Sequence, residues 1–374
     1  MAFFGILGVF MKVFFLLYMG FTLKCFGSIG IIGDSIATGA AAHPRISYDS
    51  KAMADIFEGR VRLTVSAPEI EFLRNAGVIR QSSIDSPVRL WPSRSEFYGG
   101  VEWAALHVRG IVSRQFLDTE EYSWGFILGK KLGVSSSEIL IAAEDGARSN
   151  KVRDQLNRLF ESGKGYLPEH VFMLFTGNDL CSLSMANITD AETYARPFYE
   201  QIHYAVSVRK GTDPLNFWLL DPIGVVQLTQ SEAILGKKVK AHGKVMTCGE
   251  LYNLSSHDGW GEGSPYYLHS IPQTPAMYCP SLLRNQSESP ERHAKLANLI
   301  REYRSKLGDV VDKLQKDKDQ GALPANVHVR QVKAPRQYLI EPDDLANDCF
   351  HLSLKGQLKL ANSIFKEIQA YNFN

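Results

Sequence analysis

Ile29-Gly30-Ile31-Ile32-Gly33-Asp34-Ser35-Ile36-Ala37-Thr38, IGIIGDSIAT in one-letter code, is the stretch on which the reading of the chain turns. Ile29 to Ile32 form a short apolar run of the kind that fills a buried strand, and Gly33-Asp34-Ser35 ends it. A strand that stops at a glycine and hands a serine to a turn of small residues exposes one hydroxyl at the edge of a sheet. Gly33 and the Ala/Thr/Gly-rich residues after Ser35 leave room for a substrate beside that hydroxyl. Gly-Asp-Ser alone is a weak motif, because three common residues recur by chance in ordinary turns. A serine becomes a nucleophile only if the rest of the chain brings a base and a cradle for developing negative charge.

The chain has 374 residues, of which 45% are hydrophobic and 22% charged, a composition that builds a packed core. Its formal net charge of +1 argues against a dedicated nucleic-acid binder, so no nucleic-acid partner is expected. Phe3 to Leu23 is nearly all apolar, interrupted by Lys12, and reads from Lys12 onward as a signal peptide. The small residues Cys25 and Gly27 suit cleavage before Ser28, which makes 1–27 the signal and 28–374 a single exported domain, secreted or periplasmic. The competing reading is a retained membrane anchor. The first strand begins only a few residues after the apolar run, which argues for the signal peptide.

With residues 1–27 removed, four cysteines remain: Cys181, Cys248, Cys279 and Cys349. An even number in an exported chain suggests disulfides, and four cysteines allow three pairings. No C-x-x-C occurs, so a zinc cluster is not expected, and the histidines His43, His107 and His257 lack ligand spacing. Sequons stand at Asn187, Asn253 and Asn285.

Past Ser35 the pattern lapses from about His43 to Glu121, which reads as an insertion or cap. Alternation then becomes regular. Helices are predicted at Trp124–Leu132, stopped by Gly133, at Asn150–Ser162 and at Asp190–Val208. Strands are predicted at Glu138–Ala143, His170–Phe175, Asn216–Leu220 and Asn326–Gln331. Strands alternating with helices give parallel βαβ units, hence a three-layer α/β/α, doubly wound sheet that is five-stranded once Ile29–Gly33 is counted. In such sheets ligands sit outside the carboxyl ends of the strands. Ser35, Gly146 and Asn178 all fall just past predicted strand ends. A second lapse, about 225–290, reads as another insertion near the site, clamped by a Cys248–Cys279 disulfide. From Leu296 to Leu314 apolar residues recur at helical spacing, a core-facing stripe.

Near the C-terminus stands Asn347-Asp348-Cys349-Phe350-His351-Leu352-Ser353, followed by a helix to about Gln369 that Ser353 is placed to cap. A histidine that deprotonates a serine needs a carboxylate to fix its tautomer and stabilise the imidazolium, and an Asp-x-x-His turn supplies both groups from one loop.

The ordered set GDS (Ser35), EDGARS (Gly146), GND (Asn178) and DCFH (Asp348, His351) resembles the SGNH, or GDSL, hydrolase superfamily, from Ile29 to Phe365. GNDLC followed by DCFHLS is similar to phospholipase B-type lipases. EDGARS, GNDLC and the lead-in Leu339-Ile340-Glu341-Pro342 are similar to acyloxyacyl hydrolases, whose saposin-like module is absent here. Thr176 departs from the superfamily, which usually has glycine two residues before the asparagine. The resemblance implies a flavodoxin-like sheet and a serine esterase needing no metal or organic cofactor. Ser35 would be its nucleophile, His351 its base and Asp348 the orienting carboxylate. Oxyanion donors would be the Ser35 and Gly146 N–H groups and the Asn178 amide. Asp34 is expected to organise the serine turn and Asp179 to be structural. A Cys181–Cys349 disulfide bracing the site is a further expectation. Acyl esters of lipids are the expected substrates, with transient membrane-surface contact. A carbohydrate O-acetyl-esterase, or an inactive lipid- or glycan-binding member, are the alternatives. A phosphate-binding Rossmann protein is excluded, since no Gly-rich phosphate loop follows a strand.

Overall fold

Ile29, Ile31 and Ile32 are shut off from solvent, and they form the inner strand of the protein. The computed structural model describes residues 27–39, 42, 122–144, 146–182, 185–241, 244–253, 279–283 and 290–371. Most of the predicted signal peptide, the insertion at about 43–121, His43, His107, His257 and the Asn285 sequon lie outside these residues.

In chain order the elements are β1 (Ile29–Gly33), α1 (Ser35–Thr38), α2 (Trp124–Lys131), β2 (Ile139–Ile141), α3 (Val152–Ser162), β3 (His170–Leu174), α4 (Gly177–Leu180), α5 (Ala191–Val208) and β4 (Leu215–Leu220). Then follow α6 (Gln227–Gln230), α7 (Glu232–Leu235), β5 (Lys238–Ala241), β6 (Lys244–Thr247), α8 (Cys248–Tyr252), α9 (Pro280–Leu283), α10 (Pro290–Asp319), β7 (Val327–Val332) and α11 (Leu354–Ala370).

The main sheet has the order β2-β1-β3-β4-β7 and is parallel throughout, the doubly wound order in which strand order reverses beside the first strand. Ile29 pairs with Ile139 on one side and His170 on the other, so β1 is interior. Side chains alternate across it. A Cβ at Gly30 would strike Leu159 of α3, whereas Ile31 packs against Gly125 of α2. α2 and α3 therefore cover opposite faces, α2 packing with α11, and α3 with α5, which packs on α10. Leu296, Ile300, Tyr303, Leu307, Val310 and Leu314 of α10 are buried, so its stripe is core. These are the three layers expected from the alternation.

Element ends shift by at most two residues. The β2 ladder stops at Ile141, yet Ala142 N–H still donates to Ile31 and Glu144 N–H to Gly33, so the chain runs beside β1 to its end. In the second lapse the sequence reading missed an antiparallel hairpin, β5–β6. Lys238-Val239-Lys240-Ala241 does alternate, but each strand is four residues long, the shortest run that can carry a strand pattern, and Lys244–Thr247 does not repeat the alternation.

Both expected disulfides are wrong. The bonds are Cys181–Cys279 and Cys248–Cys349. The cause is how the second insertion folds back. Ser281 at α9 donates from N–H to Ser182 O and from Oγ to Leu180 O, which lays Cys279 on the loop after α4. Tyr252 of α8 donates its hydroxyl to Cys349 O, which brings Cys248 to the C-terminal loop. Each bond thus ties the insertion to one of the two loops that carry candidate site residues. Two disulfides fit an oxidising compartment. Among the described residues no helix is long and apolar enough to cross a membrane.

Candidate active site

β1 ends where Gly33 lets the backbone come close. A Cβ there would stand 2.1 Å from Leu174 O of β3, so any other residue would push the strands apart. Gln155, buried in α3, clasps this glycine with both ends of its amide: Gly33 N–H donates to Oε1 (2.7 Å) and Nε2 donates to Gly33 O (2.8 Å). A second buried glutamine, Gln357 of α11, donates to Ile36 O (3.1 Å) and accepts from Trp124 N–H (2.9 Å). The Ser35 turn is therefore pinned from both faces of the sheet. Sequence reading missed both glutamines, because an amide on a helix carries no motif.

Asp34 caps α1 by accepting from Ile36 N–H at 2.9 Å. Its other oxygen accepts from Thr176 N–H (2.8 Å) and Gly177 N–H (3.1 Å), across the sheet at the outlet of β3. The expectation for Asp34 was a local one, and the structure extends it: this carboxylate joins the Ser35 turn to the turn bearing Asn178. Burial raises its carboxyl above the ordinary range, and the N–H groups of Thr176, Ile36 and Gly177 pull it back. Thr176, the odd residue in the motif, accepts from Ile223 N–H with its hydroxyl (3.3 Å) and so ties this turn to the chain leaving β4.

His351 reaches the same place from the C-terminal loop. Its Nε2 lies 3.0 Å from Ser35 Oγ, and its Nδ1 lies 2.5 Å from Asp348 Oδ2. The other oxygen of Asp348 accepts from the N–H groups of Phe350 (2.9 Å) and His351 (3.0 Å), which closes the Asp-x-x-His turn. Burial would raise the Asp348 carboxyl, but the charge and hydrogen bonding of His351 and these two N–H groups outweigh it, and the group sits below its ordinary range. Asp348 is thus an anion held against an imidazole, and the three side chains form one relay from carboxylate to hydroxyl.

The loop that carries the relay is held by the second insertion. Lys237 Nζ donates to the carbonyls of Pro342 (2.9 Å), Leu345 (2.5 Å) and Ala346 (3.4 Å), and the Cys248–Cys349 bond anchors the residue after Asp348. Cys349 takes a left-handed conformation, φ +59°, so the tight turn between Asp348 and His351 is built at a disulfide-fixed residue. No spacing in the sequence pointed to Lys237.

Gly146 lies on the loop after β2 with φ +76°, and a Cβ there would meet nothing within 4 Å. The glycine is needed for the backbone conformation, not for space. The Ser35 and Gly146 N–H groups have no hydrogen-bond partner among the described residues. The Asn178 Nδ2 group is buried and likewise unpartnered there. A buried donor such as the Asn178 amide rarely stays unpaired without a reason, whereas Gly146 is exposed. Of the sequence-predicted residues, Ser35, Asp348 and His351 are in direct contact. Gly146 and Asn178 stand at the carboxyl ends of the two strands that flank β1.

Asp179 links those two loops. It accepts from Ser149 N–H (2.9 Å) and Oγ (3.0 Å), which fixes the segment after Gly146 to α4. Burial pushes its carboxyl up to about 7, against the Ser149 bonds that lower it. In the unfolded chain this group titrates near the ordinary 3.8. The proton it retains on folding therefore stabilises the native state fully below that value, and this contribution is lost as pH rises to about 7. Asp179→Asn, which keeps an acceptor for Ser149 and has no proton to lose, should gain melting temperature relative to wild type as pH is raised from 4 to 8. A difference in melting temperature that stays flat across that range would refute the ionisation.

The GDSL-like Lipase/Acylhydrolase family matches this chain over residues 29–364. No curated protein matches it. Among solved structures it is similar to an alpha/beta hydrolase enzyme from the metagenome of Lake Arreo, Spain. The two are 14% identical with a TM-score of 0.38, over 94% of this chain and 100% of that one.

Proposed function

The chain belongs to the GDSL-like lipase/acylhydrolase family, and from that premise we propose that it is a serine hydrolase of carboxylic esters, acting on acyl esters of lipids. The observation that carries this reading is the relay of Asp348 Oδ2 to His351 Nδ1 (2.5 Å) and His351 Nε2 to Ser35 Oγ (3.0 Å). Ser35 Oγ attacks the ester carbonyl while its proton passes to His351 Nε2, and Asp348 stabilises the imidazolium. The carbonyl oxygen, now negative, accepts from the N–H groups of Ser35 and Gly146 and the amide of Asn178, donors without a hydrogen-bond partner among the described residues. Collapse expels the alcohol, which receives the proton from His351. Water, deprotonated by the same imidazole, then releases the acid and restores Ser35.

Export belongs to the same reading, with residues 1–27 as a signal peptide. The two disulfides support it.

The test is hydrolysis of an ester ladder, acetyl to palmitoyl, with a diacyl phospholipid added. Turnover of long chains is the expected result. Turnover confined to acetyl would move the assignment to carbohydrate O-acetyl esters, and no turnover at all would leave a lipid- or glycan-binding protein. Asn178→Ala should lower kcat by about 10²–10³-fold and change KM little, because the amide is engaged only when the oxyanion forms. An equal loss spread into KM would mean that Asn178 binds the ground state.

A further inference from the structure

Away from the nucleophile, the same carboxyl edge of the sheet holds a cavity of about 480 Å³ between α10, the end of β7 and the turn that follows it. Arg301, Arg304, Lys333 and Arg336 line it with Ser305 and Gln331, and no carboxylate is among the lining residues. The α10 contributors recur at positions 301, 304, 305 and 308, one face of the helix. Lys333 and Arg336 come from the segment just past β7.

Among the described residues two carboxylates bond the segments that carry these cations, and both are committed: Glu367 accepts from the backbone N–H groups of Lys333 (2.8 Å) and Ala334. Asp221 is buried at the end of β4, where Oδ1 accepts from Gln331 Nε2 (2.6 Å) and Oδ2 from Arg336 Nε (2.5 Å). Arg304 is held in place by Pro222 O, which accepts from Nε (3.0 Å) and Nη2 (2.7 Å). Among the described residues, Nη1 of Arg304, both Nη groups of Arg336 and the Lys333 ammonium have no hydrogen-bond partner. Among the described residues, four positive charges against the two carboxylates Asp221 and Glu367 leave a local surplus of two in a chain whose net charge is +1. Burial also lowers the Arg304 guanidinium from its ordinary value, which marks the cost of keeping this charge half out of water.

Guanidinium groups fixed through Nε present their remaining N–H donors as a planar fork, and that fork matches the oxygens of a phosphate. We infer that this cavity, lined by Arg301, Arg304, Lys333 and Arg336, is a binding site for a phosphate-type dianion, either the phosphomonoester head group of a lipid or a soluble phosphate. The two fixed arginines set the geometry, and Arg301 and Lys333 close on the ion from the exposed rim. Binding here is a separate property from ester hydrolysis and stands whether or not the esterase assignment does.

The test compares the full-length protein with the double variant Arg301→Gln/Lys333→Gln, which leaves Arg304 and Arg336 on their internal partners. Inorganic phosphate and pyrophosphate are titrated by calorimetry at constant chloride. In a second arm, phosphatidylcholine vesicles carrying phosphatidic acid are compared in flotation with vesicles carrying phosphatidylserine. Saturable binding that weakens by about tenfold or more in the variant is expected, the loss that follows from removing two charge-assisted bonds. Binding of the soluble ions alone identifies a soluble ligand. Flotation with phosphatidic acid and not with phosphatidylserine identifies a lipid head group. No saturable binding in either arm overturns the inference, and so does binding equal in wild type and variant. An unchanged melting temperature shows that the variant is folded.

Discussion

Ser35→Ala should remove ester hydrolysis almost entirely, with a fall in kcat on the order of 10⁵–10⁶. On the proposed mechanism the hydroxyl is the atom that forms the acyl-enzyme, and among the described residues nothing near it substitutes. Asp34 is committed to the N–H groups of Ile36, Thr176 and Gly177, and His351 needs an oxygen to deprotonate. The change costs little in stability, because Ser35 Oγ contacts His351 and takes no part in the cap of α1, which Asp34 supplies. The variant should fold, keep its melting temperature within a degree or two, and still bind substrate. Active-site labelling by a fluorophosphonate, which traps nucleophilic serines, should vanish with the activity. Activity in Ser35→Ala above about one per cent of wild type would mean that another residue is the nucleophile.

Asp348→Asn is the second large effect, expected at about 10⁴-fold in kcat, and here the structure says which way the amide must point. One carboxylate oxygen accepts from the Phe350 and His351 N–H groups, and the other meets His351 Nδ1. Asparagine has one oxygen. Two backbone donors will claim it, which turns the NH₂ group toward Nδ1. Nδ1 must then be the acceptor, the proton moves to Nε2, and the nitrogen facing Ser35 can no longer take a proton. The turn itself survives, so folding and substrate binding should be nearly unchanged. A loss of less than about tenfold would show that Asp348 holds the loop without fixing the tautomer. The native carboxylate lies below its ordinary range, so it should stay ionised throughout the pH range in which the enzyme is assayed.

The sheet was legible because it is buried on both faces. Ile29–Ile32, His170–Phe175 and Asn216–Leu220 are nearly continuous apolar runs, and a parallel strand covered by helices on each side must read that way. Glycine and Asp-Pro stops placed the strand ends, and hence the edge where Ser35, Gly146 and Asn178 lie. Asp348 and His351 were legible for a related reason: they are three apart in one turn, so their geometry is local.

What could not be read is held by long-range partners. Gln155 clasps Gly33 over a separation of 122 residues, and Gln357 reaches Ile36 over 321. Nothing in either glutamine's neighbours marks the role. The cysteines show the limit most clearly. Their number announced two bonds, but four cysteines have three pairings with equal claim, and the choice rests on where α8 and α9 come to lie. Burying α9 against the loop after α4, and Tyr252 against Cys349, decided it.

Short-range pattern and chemistry encode the strands and their parallel pairing, and they put Ser35, His351 and Asp348 forward as the candidate relay. The tertiary structure alone decided the disulfide pairing, the grip of Lys237 on the Asp348 loop and the gathering of four cations beside Asp221. Those depend on contacts between segments about a hundred residues apart, whose juxtaposition is a product of packing.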